Sequence, residues 1–383
     1  MNITNLRQPL WIDREATFKA MIQDLQQSPI IAVDTESNSL FAYQEQVCLI
    51  QFSTTDTDYL VDPLAIRDMS PLGVVFADPN IENVFHAAEY DIFCLKRDFH
   101  YEFNNLFDTM VASRILGREH QGLGGVIKDL YGIELEKKYQ RANWGMRPLK
   151  PGMLEYARLD TYFLIDVRKQ LRADLEKINR WKLAEEDFAR LCRISPPENN
   201  GQKERCWKVL GNNKMRPEQL AVLQALCAYR EKRAEAANLP VFKVLNNKTL
   251  LAVAKAIPET QRDMEEIPDL SIKLAKRIGP KLLKIVRNGR KQQPYKRTSN
   301  HKRLDPIFAA RVESLRMWRK NTALDIGVQS DVVLPREVMY AIVTADPNDM
   351  AELKPVLADF PWRYEEYGEQ IMNVLQETTI KKK

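Results

Sequence analysis

The chain has 383 residues, of which 44% are hydrophobic and 28% charged, with a net charge of +5. This length exceeds a single compact core and calls for two or three domains, and the composition is that of an ordinary globular protein. Five scattered cysteines without a CxxC pair argue against a disulfide framework or a cysteine zinc site and for a reducing compartment.

No apolar run approaches eighteen residues, and the first residues lack an apolar stretch, so neither a membrane span nor a signal peptide is expected. The expected location is cytoplasmic. The modest overall charge hides a division. Residues 1–200 carry 23 Lys and Arg against 30 Asp and Glu, a net of −7. Residues 201–303 carry 24 against 9, a net of +15, and residues 304–383 carry 10 against 13, a net of −3. Positive charge concentrated in one segment is the footprint of a polyanion-binding surface, set against the plainer reading of a solvated lysine-rich face.

In chain order, residues 29–36, 46–53 and 58–62 are short apolar or β-branched runs bounded by turn residues. They read as consecutive strands whose brief connections suit antiparallel pairing. Beyond Pro63, helix alternates with short strands such as 83–86, and residues 87–99, 108–116, 122–131 and 151–176 carry helical spacing. A strand-first mixed sheet with later helices is an α/β arrangement. From about residue 180 the pattern is helical throughout. Residues 195–201 read as a linker. Residues 287–303, with seven Lys and Arg and no acid, read as an exposed basic connector.

The segments flanking that connector repeat. An ungapped offset of 89 places Tyr229-Arg230 on Trp318-Arg319, Val244-Leu245 on Val333-Leu334, Leu250 on Met339, Pro258 on Pro347, Gly279 on Gly368 and Leu282 on Ile371. A register that keeps Arg, Pro and Gly points to a duplicated helical unit.

Chemistry concentrates in the first half. Asp34 and Glu36 close the apolar run 30–36 and, two apart on a strand, face the same side. Side by side near a buried strand they repel and are desolvated, a cost that a divalent cation removes. Asp91 falls early in a helix, where an acid is also an ordinary partner of the helix dipole. Tyr156 and Asp160, four apart, share a helix face. His86 is a weaker candidate, for substrate contact rather than for metal, because four histidines and no HxxxH make a histidine zinc site improbable. Ligation by carboxylate oxygens alone selects Mg²⁺ or Mn²⁺, and two such ions suit phosphodiester cleavage.

In their order and settings these residues resemble the DEDD superfamily of 3′–5′ exonucleases. Asp34 and Glu36 match its first motif, Asp91 its second, and Tyr156 with Asp160 the third motif in its tyrosine form. The flanks Leu49-Ile50-Gln51, Phe107-Asp108-Thr109, and Trp144 with Arg147-Pro148-Leu149 strengthen the match. The repeated tail is similar to the HRDC domain, a helical module shared by ribonuclease D and RecQ-type helicases. One exonuclease domain followed by two such units is the layout of the bacterial ribonuclease D family. Two departures stand out: Ile267-Pro268-Asp269-Leu270 occupies the place of a glycine-containing hairpin, and Gln329 replaces Pro240 in the second unit.

The resemblance implies an α/β ribonuclease H-like exonuclease domain over 1–195, then all-α HRDC-like domains over 202–290 (basic) and 304–378. It implies catalytic roles for Asp34, Glu36, Asp91, Tyr156 and Asp160. Asp34, Glu36, Asp91 and Asp160 would hold two divalent ions (Mg²⁺ or Mn²⁺), and Tyr156 would orient the attacking water. The implied activity is release of 5′-mononucleotides from RNA 3′ ends, with tRNA precursors as expected substrates and a monomer as the favoured state. A DNA 3′–5′ exonuclease and an inactive RNA-binding scaffold are the rival readings. No P-loop is present to suggest a motor.

Overall fold

The computed structural model describes residues 7–195, 201–211, 213–294 and 305–380. Most of the expected linker at 195–201 and of the basic connector at 287–303 lies outside the described residues. By compactness the chain divides into two units, one of residues 1–36, 47–196 and 301–383, the other of residues 37–46 and 197–300.

The first unit opens with β1 (Leu10–Ile12), α1 (Glu15–Gln27), β2 (Ile30–Ser37), β3 (Val47–Ser53) and β4 (Asp58–Val61). There follow α2 (Gly73–Ala77), β5 (Glu82–Phe85), α3 (Glu89–Phe99), β6 (Leu106–Asp108), α4 (Thr109–Ile115) and α5 (Leu123–Tyr131). Next come α6 (Pro151–Tyr162), α7 (Leu164–Lys177) and α8 (Trp181–Cys192). The six strands form one mixed sheet in the order β1-β4-β3-β2-β5-β6. β3 and β4 run antiparallel, with Ile50 opposite Val61 and Phe52 opposite Tyr59. The pairs β1 with β4, β2 with β5, and β5 with β6 run parallel. All seven residues of β3 are buried, as a central strand covered on both faces requires.

Two sequence expectations need correction. The run 151–176 is two helices, α6 and α7, that meet at Phe163, a buried side chain packed edge-on against Tyr162 and stacked on Tyr131. The sheet also gains β1 and β6, each of three residues and so too short to show a period.

The second unit holds α9 (Gly201–Leu210), α10 (Pro217–Ala236), α11 (Val241–Val244), α12 (Asn247–Ala256), α13 (Gln261–Glu265) and α14 (Ile272–Gly289). Its core gathers Leu223, Leu226, Leu250, Val253, Leu282 and Val286. The last stretch, within the first unit, holds α15 (Pro306–Asp325), α16 (Ser330–Val333), α17 (Arg336–Ala345), α18 (Met350–Val356) and α19 (Pro361–Ile380).

The duplication extends to the backbone. Shifted by 89, the bounds of α10, α11 and α12 fall on those of α15, α16 and α17. The left-handed residue that ends α12 (Ile257) falls on the one that ends α17 (Asp346). In each copy an arginine donates to the same carbonyl, Arg230 Nη1 to Leu245 O at 3.2 Å and Arg319 Nη1 to Leu334 O at 2.9 Å. Among the described residues no helix is long and apolar enough to cross a membrane.

Candidate metal centre

Asp34 and Glu36 sit at the end of β2, where the buried run Ile31-Ala32-Val33 gives way to partly exposed residues. Tyr156 and Asp160 come from α6, whose packing against β3 is set by buried Met153 and Ala157 and by a 2.8 Å bond between the hydroxyls of Ser53 and Thr161. The Tyr156 ring lies 6.2 Å from both Trp144 and Tyr139, so the phenol is held from two sides. Trp144 belongs to a small apolar cluster with Leu49, Leu60, Met153 and Ala157. Its loop is fastened by Arg147, which donates to both oxygens of Asp62 at 2.6 Å and to the carbonyls of Cys48 and Trp144 at 2.6 and 2.8 Å.

Asp91, 7% exposed, lies in the first turn of α3. No side chain of its own caps that helix. The turn before it, with Ala87 in the left-handed region (φ 63°), is instead held from β6. Asp108, 1% exposed, accepts from the backbone N–H of Ala87 at 3.0 Å and of Ala88 at 2.7 Å. The same carboxylate caps α4 through Met110 N at 2.8 Å and Val111 N at 3.1 Å. One buried acid thus fixes two helix starts.

All six candidates from the sequence, Asp34, Glu36, His86, Asp91, Tyr156 and Asp160, line one cleft of about 690 Å³. Carboxylate oxygens of Asp34, Glu36 and Asp160 lie within 4.8 Å of one another. Asp91 stands outside that triad, its Oδ1 accepting a short hydrogen bond from the Thr35 hydroxyl. Burial, and then the surrounding carboxylates, push the Asp34 carboxyl well above its ordinary range. Burial, reinforced by Asp160 and Asp91, raises Glu36 to about 9. Asp91 and Asp160 rise to about 7, again chiefly through burial. The Tyr156 phenol is pushed up by burial and by Asp160, so it stays a neutral donor. Four acids so placed hold protons or cations. Hard oxygen donors at this spacing fit divalent metal ions.

His86 Nδ1 lies 2.9 Å from Thr109 Oγ1, which donates to Phe85 O at 3.0 Å. The threonine hydrogen is therefore committed to Phe85, its oxygen accepts from Nδ1–H, and Nε2 is the unprotonated nitrogen. Burial pushes the His86 pKa down and keeps the ring neutral.

Two residues that support the site, Thr35 and Asp108, appear in the sequence only inside or beside motifs, without their own roles being readable. Thr35 and Asp108 act through partners 56 and about 20 residues away. Their only local signals are a hydroxyl inside an acidic pair and an aspartate at a strand-to-helix boundary. His120, Gln121, Lys137 and Gln140 also line the cleft, from irregular segments, and bring polar side chains to it.

Residues 9–176 match the 3′-5′ exonuclease family, and residues 219–286 and 308–375 each match the HRDC domain. A ribonuclease D from Pseudomonas paraeruginosa is 29% identical over 372 residues, covering 96% of this chain and 97% of that protein. The exosome complex exonuclease RRP6 of Saccharomyces cerevisiae is 40% identical over 173 residues, 45% of this chain and 24% of that one. The crystal structure of Escherichia coli RNase D shares the fold, with a TM-score of 0.65 at 24% identity over 97% of this chain and 99% of that one.

Proposed function

Since the chain belongs to the 3′–5′ exonuclease family, in the ribonuclease D arrangement of one such domain followed by two HRDC domains, we propose that it shortens RNA stepwise from the 3′ end, releasing 5′-mononucleotides. The observation that carries the reading is the convergence of the Asp34, Glu36 and Asp160 oxygens beside Tyr156 in one open cleft.

Asp34, Glu36 and Asp160 are the residues that would hold divalent cations, with Asp91 completing the acidic set. Such ions supply Lewis-acid activation of water and charge stabilisation at the leaving oxygen of a phosphodiester. The chain's own groups do the rest. Thr35 holds Asp91 in register with the first motif, and Tyr156, a neutral phenol, donates its hydrogen bond to orient the attacking water. His86 Nε2 accepts from a ribose hydroxyl of the terminal nucleotide. Lys137, Gln140 and Gln121 face the phosphates that follow.

Precursors of tRNA, a folded body with a 3′ extension, are the substrates this reading favours, with Mg²⁺ or Mn²⁺ as cofactor. The five cysteines form no disulfide with one another, which suits a reducing compartment, and the reading puts the activity in the cytoplasm. The test is digestion of a tRNA precursor carrying a 3′ extension, beside the matching DNA, with Mg²⁺ and with chelator. Mononucleotide release from RNA that requires the cation and falls roughly 10³-fold in Asp34→Asn is the expected result, a loss of several kcal/mol of transition-state stabilisation. Near wild-type release by Asp34→Asn would overturn the assignment.

A further inference from the structure

We infer that the outer face of α14 is a docking rail for the phosphate backbone of double-helical RNA, an inference that rests on the exoribonuclease reading above. Ala275, Gly279, Leu282, Val286 and Gly289 are buried and form the helix's inner face. Lys273, Lys276, Arg277, Lys281, Lys284 and Arg287 are all exposed. Successive members are one to four residues apart and fall together on the opposite face, in a row about 21 Å long at 1.5 Å per residue. The helix contains no acidic residue. Among the described residues none of the six has a carboxylate in ion-pair reach, and Lys281 rests its ammonium 5.3 Å above the Tyr229 ring. Arg290, just past the helix, shows the contrast: it is engaged by Glu218 at 2.6 Å and Glu259 at 2.5 Å.

Like charges three and four residues apart on a helix repel, so the row costs stability unless an anion lies along it. The duplicated copy shows that the fold does not require it. The equivalent positions of α19 are Trp362, Glu365, Glu366, Gln370, Asn373 and Gln376, with no cation among them. The inner face persists there as buried Gly368, Ile371 and Leu375. Packing has been kept in both copies and the cationic row in one, which separates the row's role from that of the helix.

The chemistry of the row selects its partner. Proteins that hold single strands pair a basic groove with aromatic side chains on which bases stack. No aromatic residue occurs in α14. A row of cations on a helix with no aromatic of its own, its one neighbouring ring (Tyr229) lying under Lys281, meets phosphates rather than bases, and double-helical RNA, recognised through shape and backbone, presents them in dense rows.

The test measures binding to the full chain in chelator, so that nothing is cut. Its probes are an RNA hairpin with a 3′ tail and an unpaired RNA of the same length. Replacing all six residues with glutamine should weaken hairpin binding about 100-fold near 0.1 M salt and lower the log–log salt slope by roughly five, with a much smaller loss on the unpaired strand. A charge-keeping variant (K273R, K276R, K281R, K284R) should bind the hairpin as the unaltered chain does. The double variant R277Q/K284Q alters two outward residues only and should lower the slope by about two, which keeps the inference testable if the sixfold change perturbs folding. An unchanged hairpin slope, or an equal loss on hairpin and unpaired strand, overturns it. A failure of the unaltered chain to degrade RNA would strike the exoribonuclease reading instead and leave this binding measurement standing.

Discussion

Tyr156 brings a neutral hydroxyl into a ring of carboxylates while Trp144 and Tyr139 fix its ring. Tyr156→Phe keeps that packing and removes the donor. It should lower kcat about 100-fold with little change in KM, read by single-turnover kinetics on a short RNA, and an unchanged kcat would exclude the positioning role. The acids give a second expectation. Glu36 at about 9 and Asp91 and Asp160 at about 7 are raised above the values they take in an unfolded chain, near 4. The folded, cation-free protein therefore holds protons that the unfolded chain releases. Its stability is fullest below about pH 4 from these groups and is lost as pH rises through 7 toward 9. Mn²⁺ in place of the protons should flatten that decline. Melting temperatures from pH 5 to 9, with chelator and with Mn²⁺, check it, and a chelated protein with a flat profile would count against the buried acidic cluster. That the five acidic and phenolic positions gather in one cleft was legible because their joint order and settings resemble those of a known exonuclease family, each motif being weak alone. Asp108 was visible only as part of a motif flank and Thr35 only as the residue between two acids; their roles were not, since each acts through a residue that folding brings to it.

At the scale of elements, Asp108 joins β6, α3 and α4 through four backbone N–H groups. Asp108→Ala strips two helix starts of their acceptor and should cost about 2–4 kcal/mol in urea unfolding, together with a fall in kcat as the turn before Asp91 loosens. Asp108→Asn retains one accepting oxygen and should recover part of both. A variant that loses stability while keeping full kcat would show the contact to be structural alone. Much of this layer was readable. β2, β3 and β4 announce themselves as apolar runs between turn residues, and the offset of 89 places two sets of helices before any coordinate is known. β1 and β6 escaped because three residues hold no period. The break at Phe163 escaped because both helices continue one apolar pattern across it. In α10 buried residues such as Ala221, Val222, Leu223 and Gln224 run all around the helix, so burial there follows no single face.

At the scale of the molecule, the two copies of the duplicated unit carry different charged side chains. In the second copy Arg363, fully buried, donates to Glu186 Oε2 at 2.9 Å and to both oxygens of Asp187 at 3.1 Å, and reaches the carbonyls of Val332 and Val333 at 2.9 and 3.1 Å. Helix α19 is thereby pinned to α8, and the Arg114 guanidinium adds an ion pair to Asp331. Arg363→Ala leaves two carboxylates buried without their partner and should cost about 3–5 kcal/mol in denaturant unfolding. A loss below about 1 kcal/mol would mean that water replaces the guanidinium. None of this is visible in the sequence, where Glu186 and Asp187 look like surface acids of an ordinary helix. It has a consequence for how the protein is made. Asp187 waits for a partner 176 residues further along the chain. At 5–20 residues per second the ribosome needs roughly 9–35 s to deliver it. For that interval the exonuclease fold emerges with its last helix still hydrated at two acids, and the contact closes only once Arg363 has been made.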